Sequence, residues 1–106
     1  MIARHWRGFA QPSKAAQYAA HFTNTVVPHL RGMQGHRGAI LLQREVEGEV
    51  EFVALTLWDR METIEQFTGK DPNVAIVEPE GRAALERFDH FATHFTVVAS
   101  TGIAGE

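Results

Sequence analysis

Apolar and polar positions change period several times along the chain, and each change marks an element. At the N-terminus Ile2, Arg4, Trp6 and Gly8 share one face while Ala3, His5, Arg7 and Phe9 share the other, which predicts a strand over residues 2–10. Gln11-Pro12-Ser13 breaks that alternation and can open a helix, with Pro12 in the first turn or Ser13 as cap. A helical period follows over residues 14–30. Ala15, Tyr18, Ala19, Phe22, Val26 and Leu30 form its apolar stripe, and Lys14, Gln17, His21, Asn24 and Arg31 fall largely off it. Pro28 supplies no amide donor, so a kink or a frayed last turn is expected there. Gly32 and Gly35 end the element.

Two strands are predicted over residues 36–45 and 50–58, joined by a short hairpin through Val46-Glu47-Gly48-Glu49. The second is apolar on both faces from Phe52 to Leu57, as befits a central strand covered on both sides. Helices in one small domain usually cover one side of a sheet, so the other side must meet something, and a second sheet is the simplest candidate. Asp59 can cap a helix with Glu62 reaching back, and Met61, Ile64 and Phe67 give it a buried face. Residues 69–73 form a turn. A short helix is expected from Pro79, carrying Ala84, Leu85 and Phe88 inward, then a last strand over 91–99. The tail at 100–106 is expected to be mobile unless it docks on a partner. Strand, helix, strand, strand, helical region, strand is the split βαβ order, so the expected fold class is α+β: a ferredoxin-like βαββαβ domain with an antiparallel sheet, spanning residues 1–106 as one unit.

Composition narrows the chemistry. At 106 residues there is room for one domain with a modest core, which burial against a partner would help. A net charge of -3 argues against a nucleic-acid binder, which needs a basic face, and there is no polybasic membrane patch. The absence of cysteine removes disulfides, thiolate metal sites and cysteine nucleophiles together. Apolar runs such as residues 39–42 are far too short to cross a bilayer, and residues 1–10 lack the apolar stretch of a signal peptide; no membrane association and a cytoplasmic location are the default expectations.

Several segments carry a resemblance. They are Met1-Ile2-Ala3-Arg4-His5-Trp6-Arg7-Gly8, Gly35-His36-Arg37-Gly38-Ala39, Glu51-Phe52 through Thr56-Leu57-Trp58-Asp59-Arg60-Met61-Glu62-Thr63-Ile64 to Phe67, and Val77-Glu78-Pro79-Glu80-Gly81-Arg82. Together they resemble the antibiotic biosynthesis monooxygenase-like group of the dimeric α+β barrel superfamily, over nearly the whole chain. The tryptophan at a strand end followed by a short helix is the most specific part. The resemblance implies a homodimer formed through the open sheet face, its two sheets closing into a barrel, with a pocket between sheet and helices of each subunit for a small apolar or aromatic ligand. It also implies oxygen chemistry on phenolic substrates without a cofactor, although other members degrade heme.

On that resemblance Trp58 lines the pocket, His5 can move a proton near neutral pH, and Arg82 can meet an anionic oxygen. Trp6, Tyr18, Phe22 and Phe67 are the expected substrate-binding wall. Blander readings stand beside these: Trp58 as a core residue with its indole N–H satisfied, and Arg82 in a surface ion pair with Glu78 or Glu86. The first strand carries His5 and Trp6 where active members often use an asparagine. Residues 59–89 contain no histidine, which argues against heme. No metal site is expected: His90 and His94 are four apart in a stretch read as strand, and His21 and His29 point apart. Ser13 and Ser100 lack a nucleophile-elbow setting, and Gly32, Gly35 and Gly38 enter a strand instead of cradling a phosphate. Glu45, Glu47, Glu49 and Glu51 read as one solvated face at the hairpin. The expected function is a cofactor-independent monooxygenase acting on a small phenolic or hydroquinone-type substrate; the alternative is a non-catalytic dimeric small-molecule-binding or stress-related module.

Overall fold

The computed structural model describes residues 1–102; most of the tail expected to be mobile, residues 103–106, lies outside the described residues. Its elements are β1 (Ile2–Ala10), α1 (Pro12–His21), a π-helical turn (Phe22–Val26), α2 (Val27–Arg31), β2 (His36–Val46), β3 (Glu49–Trp58), α3 (Met61–Thr68), α4 (Pro79–Ala84), β4 (Arg87–Phe88) and β5 (Thr93–Thr96). One antiparallel sheet runs β2-β3-β1, with β4 and β5 both on the outer edge of β1. This is the ferredoxin-like α+β arrangement, with β3 in the middle of the sheet as its two apolar faces required. Among the described residues no helix is long and apolar enough to cross a membrane.

Register sorts the residues by function. β1 and β3 pair in step from Ile2↔Trp58 to Ala10↔Val50. Opposed residues point to the same side, so Arg4, Trp6, Gly8 and Ala10 share the helix-covered face with Val50, Phe52, Ala54, Thr56 and Trp58. The other face carries Ala3, His5, Arg7 and Phe9 with Glu51, Val53, Leu55 and Leu57. It continues onto β2 and β5 with Ile40, Leu42 and Phe95, each about half exposed at 48%, 47% and 54%. Of the residues named on it, only Glu51 and Leu57 are buried within the described chain.

The first helix departs from expectation instructively. α1, the π turn and α2 form one continuous rod, with helical backbone running through Pro28. The Val27 N–H bonds the Phe22 carbonyl, five residues back, so the helix widens by one residue just before the proline. Proline removes an amide and its ring crowds the carbonyl four residues earlier; the widened turn absorbs both. At the other end, the segment expected as helix through Phe88 and strand from Phe91 is divided differently. α4 stops at Ala84, Arg87 and Phe88 already pair with β1, and Phe91 leaves the ladder to bridge Val74. The interruption has a cause: the Trp6 indole N–H takes the Asp89 carbonyl at 2.9 Å, while the Ala75 and Ala92 amides bond His90 and Asn73 carbonyls, tying residues 89–92 to the 73–75 stretch.

The glutamates near the hairpin do not form one solvated face. Glu47 and Gly48 both have positive φ, the geometry of a two-residue type I′ turn, which takes Glu47 out of the ladder. Glu45 falls on the helix side opposite Val50. Glu51 is buried beneath Arg44, with which it is hydrogen-bonded, and Glu49 pairs with Arg87.

Asp59 enters α3 one residue before the cap. It accepts the Thr63 hydroxyl at 2.7 Å, a bond that, with Arg60 and Arg37 nearby, holds its carboxyl below the usual range. Its amide bonds the Gly35 carbonyl at 2.9 Å. Gly35 sits at φ +87, and a Cβ there would lie 2.7 Å from both Asp59 Oδ1 and Thr63 Cγ2. Gly35→Ala is therefore expected to lower unfolding free energy by about 1–3 kcal/mol, from strained backbone plus the clash. Chemical denaturation of the two proteins checks it, and an unchanged midpoint would refute the packing described.

Candidate functional site

A cavity of about 60 Å³ lies between the helix-covered face of the sheet, the α1–α2 rod, α3 and the strap of residues 76–78. Its walls are mostly apolar: Trp6 and Ala54 from the sheet, Phe22, Val26 and Leu30 from the rod, Phe67 from α3, Ile76 and Val77 from the strap. Five groups in the wall are polar: Arg4, Tyr18, His21, Thr56 and Glu78. Few polar groups converging in an apolar recess is the usual make-up of a small-molecule site.

Arg4 stands out. It is 4% exposed, and burial pushes its guanidinium down to about 10. Nη1 donates to the Pro72 carbonyl and to His94 Nε2 at 3.0 Å, and Nη2 donates to the Val74 carbonyl at 2.8 Å. Since arginine can only donate, His94 Nε2 must accept and carry no proton. Desolvation first, and the Arg4 charge second, accordingly hold His94 below its ordinary value. The face of Phe67 lies 5.7 Å from the guanidinium carbon. Among the described residues, no ion pair includes Arg4.

Tyr18 stacks at 5.0 Å on Phe52 and 6.1 Å on Trp6. Burial, and secondarily the Glu78 carboxylate, push its phenol well up, so it stays a hydroxyl. His21, expected off the apolar stripe, is 8% exposed. α4 lies across it, and Gly81 makes the approach possible: a Cβ there would sit 3.2 Å from His21 Nε2. His21 Nδ1 is buried with no hydrogen-bond partner, 3.5 Å from the exposed Glu80 carboxylate.

Of the residues expected from the sequence, Trp6, Tyr18, Phe22 and Phe67 come together in this cavity. Trp58 sits one layer behind it. It is fully buried, its indole N–H donates to Thr56 Oγ1 at 2.9 Å, and its ring packs 6.2 Å from Phe67, so it backs the wall. His5 lies on the opposite face of the sheet, in a shallow depression with Arg7, Thr93 and Phe95. Arg82 is on the exposed side of α4, its Nε donating to the Val77 carbonyl at 3.1 Å. Among the described residues no group of three or more His, Asp or Glu side chains could hold a metal ion. Arg4 and His21 were the residues sequence reasoning missed. Arg4 had a readable signal, a charge on the same strand face as Trp6 and Gly8. His21 had none, because its burial depends on a glycine sixty positions away.

His94 makes the site pH-sensitive. Its pKa is lower folded than unfolded, so below about 6.5 the unfolded chain takes up the proton first. The stabilisation is complete above that value and is lost as the pH falls toward the folded pKa. The melting temperature is expected to drop on acidification from neutrality, and less steeply in His94→Gln, whose side-chain oxygen accepts from Arg4 without titrating. His36, also lowered by burial, leaves a residual slope. Parallel slopes in thermal scans of the two proteins would refute this assignment.

No family model matches the sequence, and no curated protein matches it. Solved structures do. A candidate antibiotic biosynthesis monooxygenase from Bacillus cereus superposes with TM-score 0.68 at 14% identity, covering 96% of this chain and 95% of that one. SnoaB, a cofactor-independent oxygenase from Streptomyces nogalater, gives 0.64 at 16% identity over 95% and 97%. A candidate antibiotic biosynthesis monooxygenase from Deinococcus radiodurans gives 0.59 at 16% over 99% and 100%. The described chain therefore has the fold of antibiotic biosynthesis monooxygenase structures.

Proposed function

We propose that the chain is a cofactor-independent monooxygenase that oxidises a small phenolic or hydroquinone-type substrate with dioxygen in the cavity between sheet and helices. The observation that carries this reading is the aromatic-walled recess in which Arg4, Tyr18 and His21 converge. The shared fold with SnoaB, itself named a cofactor-independent oxygenase, supports it. In this reading a phenol lies against Trp6, Phe22 and Phe67, and the buried His21 imidazole in the cavity wall accepts its proton. The electron-rich anion passes one electron to dioxygen, the radical pair combines to a peroxide, and the peroxide takes a proton. Loss of water then leaves a carbonyl on the ring. One oxygen atom enters the substrate, the other leaves as water, and all electrons come from the substrate. The protein contributes orientation, a base and a cation near the developing negative charge.

Oxygen uptake with hydroquinones and anthrone-type phenols, without added flavin or metal, is expected to exceed the buffer rate. His21→Phe is expected to lower it by roughly a hundredfold. No uptake from any of them sinks the reading, and an unchanged rate in His21→Phe removes the histidine from it.

One observation favours a second reading, a dimeric binding module without turnover. At about 60 Å³ the cavity holds roughly four waters at ~15 Å³ each, below the size of drug-sized ligand sites. A three-ring substrate would have to displace the strap. A ligand recovered unchanged from the purified protein would favour this reading.

In either reading the protein works as a homodimer through the open sheet face. The support is the apolar surface of Ile40, Leu42, Val53, Leu55 and Phe95, which is too contiguous to suit water. Light scattering is expected to give twice the chain mass, and Val53→Asp to give a monomer. A monomeric wild-type chain would overturn it.

A further inference from the structure

The Arg4 charge has no anionic partner among the contacts it makes. Its hydrogen bonds go to two backbone carbonyls and a neutral imidazole, all uncharged acceptors. Its Nε–H makes no hydrogen bond among the described residues, and no carboxylate there pairs with it. Glu78, which also lines the cavity, forms no ion pair with it. A guanidinium this buried is normally compensated by an anion, because dipoles replace only part of the hydration it gives up. Here the surface left to it opens on the cavity. Beside it lies the ring of Phe67, and Leu30 and Val26 add apolar wall to the same cavity, surfaces suited to a flat ring and offering no hydrogen bond.

We propose that Arg4 anchors a binding subsite for the oxyanion of a small aromatic acid, an aryl carboxylate or a phenolate, with the ring against Phe67. The subsite deepens the small-molecule reading of the cavity and rests on it. Arginine suits the task because its planar fork keeps one edge on the Pro72 and Val74 carbonyls while presenting another to a ligand oxygen. A single aromatic ring with one acid group matches the small recess better than a fused polycycle.

The test uses the full chain and binding alone, in the absence of oxygen. Benzoate, benzamide and 4-nitrophenol (a phenol that ionises near neutrality) are titrated by NMR. The signals followed are the arginine Nε–H resonances and the two indole N–H resonances, with Arg4→Lys and Trp6→Phe used for assignment. Benzoate is expected to bind at least about tenfold tighter than benzamide, the loss expected for one charge-assisted contact. It should move the Arg4 Nε–H and Trp6 signals. In Arg4→Met the preference should collapse. Between about pH 6.5 and 8.5 benzoate affinity should stay flat. Nitrophenol tightening over that range identifies a phenolate as a ligand of the same subsite; nitrophenol that does not tighten confines the subsite to carboxylates. Equal binding of benzoate and benzamide, or a preference that survives in Arg4→Met, overturns the proposal. Should Arg4→Met fail to fold, the wild-type acid-to-amide ratio and the Arg4 Nε–H shift decide alone. Acid-selective binding without oxygen uptake would sink the oxygenase and leave the subsite standing; uptake of oxygen with no acid preference would do the reverse.

Discussion

The cavity depends on one side chain crossing from strand to loop. Arg4 leaves the second position of β1's covered face and donates to the carbonyls of Pro72 and Val74 and to His94. Residues 69–78 carry no helix or strand of their own, apart from the single bridge of Val74 to Phe91. Without Arg4 this stretch would keep the Ala75 and Ala92 amide bonds and the packing of Ala75 and Val77 on the core. With it, the chain is drawn across the open end of the helix layer, where Ile76, Val77 and Glu78 close the cavity. Burying a guanidinium costs several kcal/mol, and hydrogen bonds from a charged donor return about 1.5–3 kcal/mol each. Three such bonds offset part of that cost, so the strap they hold is not deeply anchored.

The helix side of the cavity is shaped by a second constraint. Pro28 forces a widened turn upstream, and that turn spans Phe22 to Val26, both in the cavity wall. At 100° per step a regular helix already keeps Phe22, Val26 and Leu30 on one side, and the widened turn preserves that shared face, all three lining the cavity. The approach of α4 through Gly81 then presses His21 inward against Tyr18, at 6.0 Å between rings. Backbone irregularity, a proline and a glycine together set the polar end of the pocket.

These features explain what could be read from the sequence and what could not. Period-two alternation in residues 2–10 marked which of those side chains share a face, and the family resemblance pointed to Trp6, Tyr18, Phe22 and Phe67 as the pocket wall, where the structure brings them together. Local pattern also marked β3 as covered on both sides. It could not separate the faces by role. His5 is as chemically able as Arg4, and which of the two meets the helices depends on α1 and α3 packing on the even-numbered face. Arg82 sits on a short helix whose rotation is set by Gly81 against His21, a contact between residues 60 positions apart. The C-terminal strand was misdivided for the same reason: the Asp89 carbonyl is claimed by the Trp6 indole 83 residues earlier.

The alternation that splits the sheet also separates two kinds of positive charge. On the open face Arg7 and Arg44 lie over Glu51, and Arg7 also meets Asp89 at 3.0 Å. Those cations are neutralised where they stand, so they contribute to packing and to the shape of the exposed apolar face. On the covered face Arg4 donates to two backbone carbonyls and an imidazole nitrogen, acceptors that carry no charge of their own. Holding residues 72–74 requires hydrogen-bond donors; it does not require a full positive charge in a place where charge is expensive. The excess is the part of Arg4 that the fold does not use. In a low-dielectric recess that excess acts most strongly on whatever enters beside it, lowering the cost of an oxyanion there far more than an exposed arginine could. An acidic aromatic molecule would thus find its ionised form favoured on entry.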